Sequence, residues 1–202
     1  RYYFNICGKY GAPVQCVLKK LAALDVERIC ALHGPVLQND LAQYIKLYDI
    51  WSSYGTETAG VVLLYASIHG GTAAVADKVR EMLIEKGCPK VVVFDLCRSD
   101  VSEVLEDVFR YGRLVLAASS YDAGVFPPMH DLLYHMKIKA CQNKRVALIE
   151  NGSWAPTAAA AMKEMLASMK NMEIVEPVVT IMSRMKPSDI PALDKLTDAI
   201  LA

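Results

Sequence analysis

The chain has 202 residues, 53% of them apolar and 22% charged, enough to close a sizeable core, which excludes intrinsic disorder. Its 22 Lys+Arg balance its 22 Asp+Glu, so neither nucleic acid nor an anionic membrane surface is the expected partner. No apolar run reaches the ~18–20 residues of a bilayer span, and Arg1-Tyr2-Tyr3-Phe4-Asn5 has no initiator Met and no signal pattern, so the chain reads as cut from something longer.

The first part of the chain predicts little structure. Pro13 to Leu24 reads as a helix with Val17, Leu18 and Leu21 on one face, and Ile29 to Leu32 as a short strand followed by His33-Gly34-Pro35. Leu41, Ile45, Tyr48 and Trp51 mark a second helix. The polar run Ser52 to Thr58 reads as a linker. Two helices and a strand make a thin core, so residues 1–55 are expected to be the tail of another domain and 56–202 the main one.

From Gly60 the chain alternates. Val61-Val62-Leu63-Leu64-Tyr65 is a continuous apolar run, as in a strand buried on both faces. Val75, Ala76, Val79, Met82 and Leu83 keep helical spacing, and Gly87 stops that helix. Val91 to Phe94 is a second strand. Val101, Val104, Leu105 and Val108 mark a helix ended by Gly112, and Leu114 to Ala117 a third strand. A loop from Ser119 to Pro128 leads to a helix near Met129–Lys139. Arg145 to Ile149 is strand four, Ala158–Lys170 a helix, and Ile174 to Val179 a fifth strand that Pro177 makes an edge or a late-starting one. Ser188 is the expected cap of the last helix, with Leu193, Leu196 and Ile200 inward.

Strict alternation implies an α/β fold, a doubly wound five-stranded parallel sheet of order 2-1-3-4-5 with helices on both faces. Ligands in such folds bind beyond the carboxyl ends of the strands, which points to three loops.

The first loop is Ser67-Ile68-His69-Gly70-Gly71-Thr72. Its glycines allow a tight turn, and the amides of Gly70, Gly71 and Thr72 open a helix, where anions are favoured. No Lys or Arg lies between Ala66 and Asp77, which excludes a Walker loop, and G-x-G-x-x-G is missing. A terminal monophosphate held by neutral donors is one reading; a plain strand-to-helix turn is the other. The second loop, Ser119-Ser120-Tyr121-Asp122-Ala123-Gly124, and the third, Asn151-Gly152-Ser153-Trp154, each put one aromatic among small polar residues. Tyr121 and Trp154 could flank a planar ring, or Trp154 could anchor a loop with Tyr121 exposed. Three such loops at one sheet edge favour a flavin mononucleotide (FMN) site. No residue is assigned as catalytic; His69 and Asp122 are candidates only for tuning the ring. His130 and His135 sit five apart in one helix, poorly spaced for a shared metal. The six cysteines form no C-x-x-C pair and are expected to be reduced thiols of a cytoplasmic protein, with Cys30 and Cys97 filling core.

These residues resemble a known family. The Ser67–Thr72 loop after a buried strand is similar to the phosphate loop of flavodoxins, although Gly71 stands where that family usually has Ser or Thr. Leu24-Asp25 and Ala31-Leu32-His33-Gly34-Pro35-Val36-Leu37, then a helix, then a flavodoxin domain, resemble flavodiiron proteins (A-type flavoproteins). The resemblance implies that residues 1–55 are the end of a metallo-β-lactamase-like domain, in which His33 matches one iron ligand. The family's His-x-Glu-x-Asp-His motif is absent, so this chain is not expected to build a diiron site, and His33 is expected to hold no iron. What the family implies for a full-length parent is reduction of dioxygen or nitric oxide at a diiron centre. FMN relays electrons from rubredoxin or another reductase, and head-to-tail homodimers bring flavin and iron together. Two alternatives stay open: a cofactorless docking or regulatory module, to which Gly71 and the glycine-free Ala158–Ala161 run leave room, and an NAD(P)H-dependent FMN reductase.

Overall fold

The computed structural model describes the whole chain, Arg1–Ala202. Its strands are β1 (Ile29–Cys30), β2 (Val36–Leu37), β3 (Thr58–Ala66), β4 (Val91–Asp95), β5 (Tyr111–Tyr121), β6 (Gly124–Val125), β7 (Lys144–Asn151), β8 (Met172–Ile174) and β9 (Val179–Ile181). Its helices are α1 (Gly11–Leu21), α2 (Leu41–Ser52), α3 (Gly71–Glu85), α4 (Val101–Arg110), α5 (Pro127–Ile138), α6 (Ala158–Ala167) and α7 (Ile190–Leu201).

The central sheet runs β4-β3-β5-β7, with β8 and β9 both parallel to the outer side of β7. Counting β8 and β9 as one interrupted strand gives the expected 2-1-3-4-5 order. β3, β5 and β7 are apolar on both faces because helices cover both. Val104, Leu105, Leu132, Leu133, Met162 and Leu166 from α4, α5 and α6 close one side. Val75, Val79, Leu83, Leu193, Leu196 and Ile200 from α3 and α7 close the other.

Four local readings are corrected. Gly112 does not stop a helix: α4 passes into β5 at Tyr111, and Gly112 lies in the strand, where a Cβ would come within 2.5 Å of Thr56 Oγ1. The fifth strand is broken at Pro177, which has no N–H to donate to β7. Ser188 does not cap α7; it lies in a 3₁₀ turn, Pro187–Asp189, where Asp189 Oδ2 accepts the Lys186 amide at 2.7 Å. Cys30 and Cys97 are exposed, and Cys141 is the buried thiol.

The first residues pack onto the sheet domain rather than trailing from it. Tyr3 and Phe4 are buried beside Trp51 and Phe109, with the Phe4 and Phe109 rings stacked at 5.0 Å. β1 and β2 form a small antiparallel hairpin whose turn carries His33, its ring 5.7 Å from that of Tyr2. No helix is long and apolar enough to cross a membrane.

Candidate functional site

The register of the parallel strands decides where the three loops meet. Ala66 is level with Ala118, and Ser119 with Asn151, so β3, β5 and β7 end at one edge. The predicted loops therefore converge.

Gly70 is the N-cap of α3, with φ +85° and open space where a Cβ would stand. A side chain at this left-handed position would be strained, so glycine supports the turn. The Gly70 amide donates to Ser67 Oγ at 3.0 Å and fixes the loop. The amides of Gly71, Thr72 and Ala73 have no acceptor within the protein. They form a ready anion cradle at the positive end of a fifteen-residue helix. Thr72 is buried, and its hydroxyl sits 2.9 Å from Ser119 Oγ, tying the first loop to the second. Ile68 and His69 are exposed at the rim.

The second loop is not the open loop read from sequence. β5 continues to Tyr121 and turns back through Asp122 and Ala123, both at positive φ, into β6. This hairpin holds Tyr121 half-exposed, its ring 5.8 Å from that of Phe126. Between the hairpin and the Gly152–Ala155 loop lies a trough of about 380 Å³ lined by Tyr121, Asp122, Ala123, Ser153 and Trp154. Trp154 is 88% exposed, so it does not anchor its loop in the core.

Several predicted ligand groups are instead committed within the protein. Ser120 Oγ accepts the amides of Thr157 and Ala158 at 2.8 and 3.2 Å, capping α6. Asn151 exchanges two hydrogen bonds with the Ser183 backbone, both at 3.0 Å. Ser153 Oγ lies 3.0 Å from Ser183 Oγ, and the Gly152 amide donates to Ile181. What remains free toward the trough is the hairpin tip, with Gly124 at its return, and Trp154.

A fourth loop, after β9, escaped the sequence reading. Ser183 stands over the first loop: a Cβ on Gly71 would meet its carbonyl oxygen at 2.5 Å and Asn151 Nδ2 at 3.2 Å. A hydroxyl-bearing residue at 71 has no room, which accounts for the departure from the flavodoxin pattern. The only advance signal was a serine two residues past the end of β9.

At the outer flank, partial burial, then the nearby Asp95 charge, pushes the Tyr65 phenol up. Cys97 lies beside the first loop, its Sγ 3.8 Å from the Ser67 carbonyl. Desolvation raises its thiol too, which makes it a poor nucleophile at neutral pH. Nowhere do three His, Cys, Asp or Glu side chains gather as a metal site would need, and His33 stands alone on its turn.

No protein-family model matches the chain. Among curated proteins, the anaerobic nitric oxide reductase flavorubredoxin of Escherichia coli is 26% identical over 159 residues, 77% of this chain and 33% of that protein. Among solved structures, the rubredoxin:oxygen oxidoreductase of Desulfovibrio gigas superposes with TM-score 0.90 at 20% identity. The flavodiiron protein of Giardia intestinalis does so at 0.86 and 18%. Each match covers 98% of this chain. The chain is similar to flavodiiron proteins along its length. It spans about half of those solved chains and a third of the flavorubredoxin. An archaeal flavodoxin matches 69% of it with TM-score 0.60 and 19% identity, 94% of that flavodoxin being covered.

Proposed function

We propose that this chain is the FMN-binding, electron-relaying part of a flavodiiron-type oxidoreductase. The observation that carries the reading is an anion cradle of three uncommitted amides joined, through the Thr72–Ser119 contact, to an open trough with two exposed aromatics. The groups fit FMN. A terminal phosphate would take the Gly71, Thr72 and Ala73 amides, and the ring would lie between Tyr121 and Trp154. When bound, FMN supplies reversible one- and two-electron transfer. The protein's part is to hold the phosphate with neutral donors, orient the ring and limit water at its buried edge. No side chain is assigned as acid or base.

The division at residue 55 belongs to this reading. The archaeal flavodoxin accounts for 69% of the chain and the flavodiiron structures for 98%; residues 1–55 would then be the end of the metal-binding domain, with His33 one ligand of a diiron centre built mainly outside this chain. A cytoplasmic parent drawing electrons from rubredoxin or a reductase and working as a head-to-tail dimer completes it. FMN titration of the purified chain tests the core of the proposal: uptake should be stoichiometric and quench flavin fluorescence.

One observation favours the docking-module alternative. The side chains of Ser120, Asn151 and Ser153 are engaged by neighbouring protein groups, so much of this edge is satisfied without a ligand. Lack of flavin uptake by a folded chain would decide for it.

A further inference from the structure

The opposite end of the sheet holds a cavity of about 510 Å³, larger than the trough and unused by the reading above. Gly60 and Gly112, near the starts of β3 and β5, line it, and Ala59 is its single apolar lining residue. An apolar ligand is therefore excluded.

Its charge is unusual. Arg113, Arg145 and Glu173 are level with one another on three adjacent strands, so their side chains leave the same face one strand spacing apart. Lys144, one residue earlier, projects to the other face and donates to the Phe109 and Tyr111 carbonyls at 2.9 and 2.7 Å. Arg145 Nε is 3.3 Å from Glu173 Oε1, yet it is a buried donor without an aligned acceptor. Arg113 makes neither an ion pair nor a hydrogen bond, although it is only partly exposed. Two guanidiniums and one carboxylate leave a net positive charge with unused donors. Thr56 and Asn171 also line the cavity, the Asn171 side-chain amide donating to Asn143 Oδ1 at 2.9 Å.

We propose that this cavity binds a phosphorylated small molecule, its phosphate held between Arg113 and Arg145. Guanidinium forks match tetrahedral oxyanions, and a dianionic phosphate offers three acceptor oxygens to the several donors present. A carboxylate offers two, and one is already supplied by Glu173. The volume suits a small polar ester.

Inorganic phosphate and glycerol 3-phosphate, titrated at constant ionic strength into the ¹⁵N-labelled full chain, provide the test. The Gly60 and Gly112 amide resonances should shift saturably. Arg113→Gln should weaken that binding by about tenfold or more, and Glu173→Gln should tighten it about threefold by removing the competing charge. The second variant keeps the test decisive if the first fails to fold. Shifts confined to Gly71–Ala73, which form the other anion cradle, would overturn the proposal. So would non-saturating shifts, or succinate binding as tightly as the phosphates.

Discussion

At the scale of single residues, the cradle rests on two positions with different physics. Thr72 is 1% exposed, and its hydroxyl joins Ser119, while its amide is one of the three free donors. Thr72→Ala should leave the amide in place but loosen the loop pair. FMN affinity should fall by ~1–2 kcal/mol, the worth of one hydrogen bond near a charge, read by fluorescence titration. Gly71 is different, because the obstacle is backbone. A Cβ there would sit 2.5 Å from the Ser183 carbonyl, so Gly71→Ser must displace the loop after β9 and break the Asn151–Ser183 pair. The expected cost is about 1–3 kcal/mol in urea unfolding. An unchanged urea midpoint would show that the loop after β9 yields freely. Cys141 makes a third residue-scale case. Complete burial pushes its thiol from 9.0 up to about 11. Its folded pKa lies above its unfolded one, so the stabilisation is complete below pH 9 and is lost as pH rises through 11. Two units correspond to roughly 2–3 kcal/mol. Lys144 is shifted down by burial and so acts in the opposite sense on approaching its unfolded value of 10.5, while Tyr3, raised to about 12 chiefly by burial, acts like Cys141. Cys141→Ala should therefore lose stability less steeply than the parent between pH 9 and 11, measured by denaturant midpoints.

At the scale of elements, α6 shows a helix that borrows its cap. The run Ala158-Ala159-Ala160-Ala161 has no polar side chain of its own to satisfy its first amides, and Thr157 makes no capping bond. Ser120 at the end of β5 takes the Thr157 and Ala158 amides. Glu150 in β7 takes the Ala159 amide at 2.8 Å and the Thr180 hydroxyl at 2.8 Å. Glu150 is nearly buried at the positive end of the helix, so charge and hydrogen bonding act together. Glu150→Gln should cost about 1 kcal/mol, and Glu150→Ala about 2–3 kcal/mol because both donors lose their acceptor. Equal losses from the two variants would mean that the charge alone matters. The same elements explain what was legible beforehand. β3, β5 and β7 read clearly because strands covered on both faces are unbroken apolar runs, and α3 read clearly from its spacing of Val75, Val79 and Met82. The β5–β6 hairpin did not, because Asp122-Ala123 lacks the glycine that usually marks two left-handed residues in succession. At the site, a serine or asparagine at a strand end looks alike whether it faces a ligand or a neighbouring loop. Tyr121, Trp154 and the Gly70 turn were legible, whereas the engagement of Ser120, Asn151 and Ser153 depended on Ser183 and α6, elements distant in sequence.

At the scale of the whole molecule, the sheet has two chemically different ends. The carboxyl end presents amides and aromatics, and the amino end presents arginines. Residues 1–55 line neither the cradle nor the trough, yet they are fastened to the sheet domain. Tyr3 and Phe4 fill the core beside Phe109 and Trp51, Lys139 Nζ donates to the Asn5 carbonyl at 2.7 Å, and Arg1 pairs with Glu103 at 2.9 Å. Removing residues 1–55 would uncover Phe109 and the α4 surface around it. Two large aromatics are worth ~1.5–3 kcal/mol each when buried, against which the truncated chain no longer bears the ordering cost of the deleted segment. A net loss of about 2–4 kcal/mol would lower the melting temperature of a domain this size by roughly 5–15 °C. Because the cradle and trough are built wholly from later residues, FMN uptake by the 56–202 chain should stay within about threefold of the parent when measured below its melting point. The two readouts separate the roles of the segment. An unchanged melting temperature would mean that Tyr3 and Phe4 contribute no net stability, and loss of flavin uptake by a folded 56–202 chain would place part of the site in the first 55 residues.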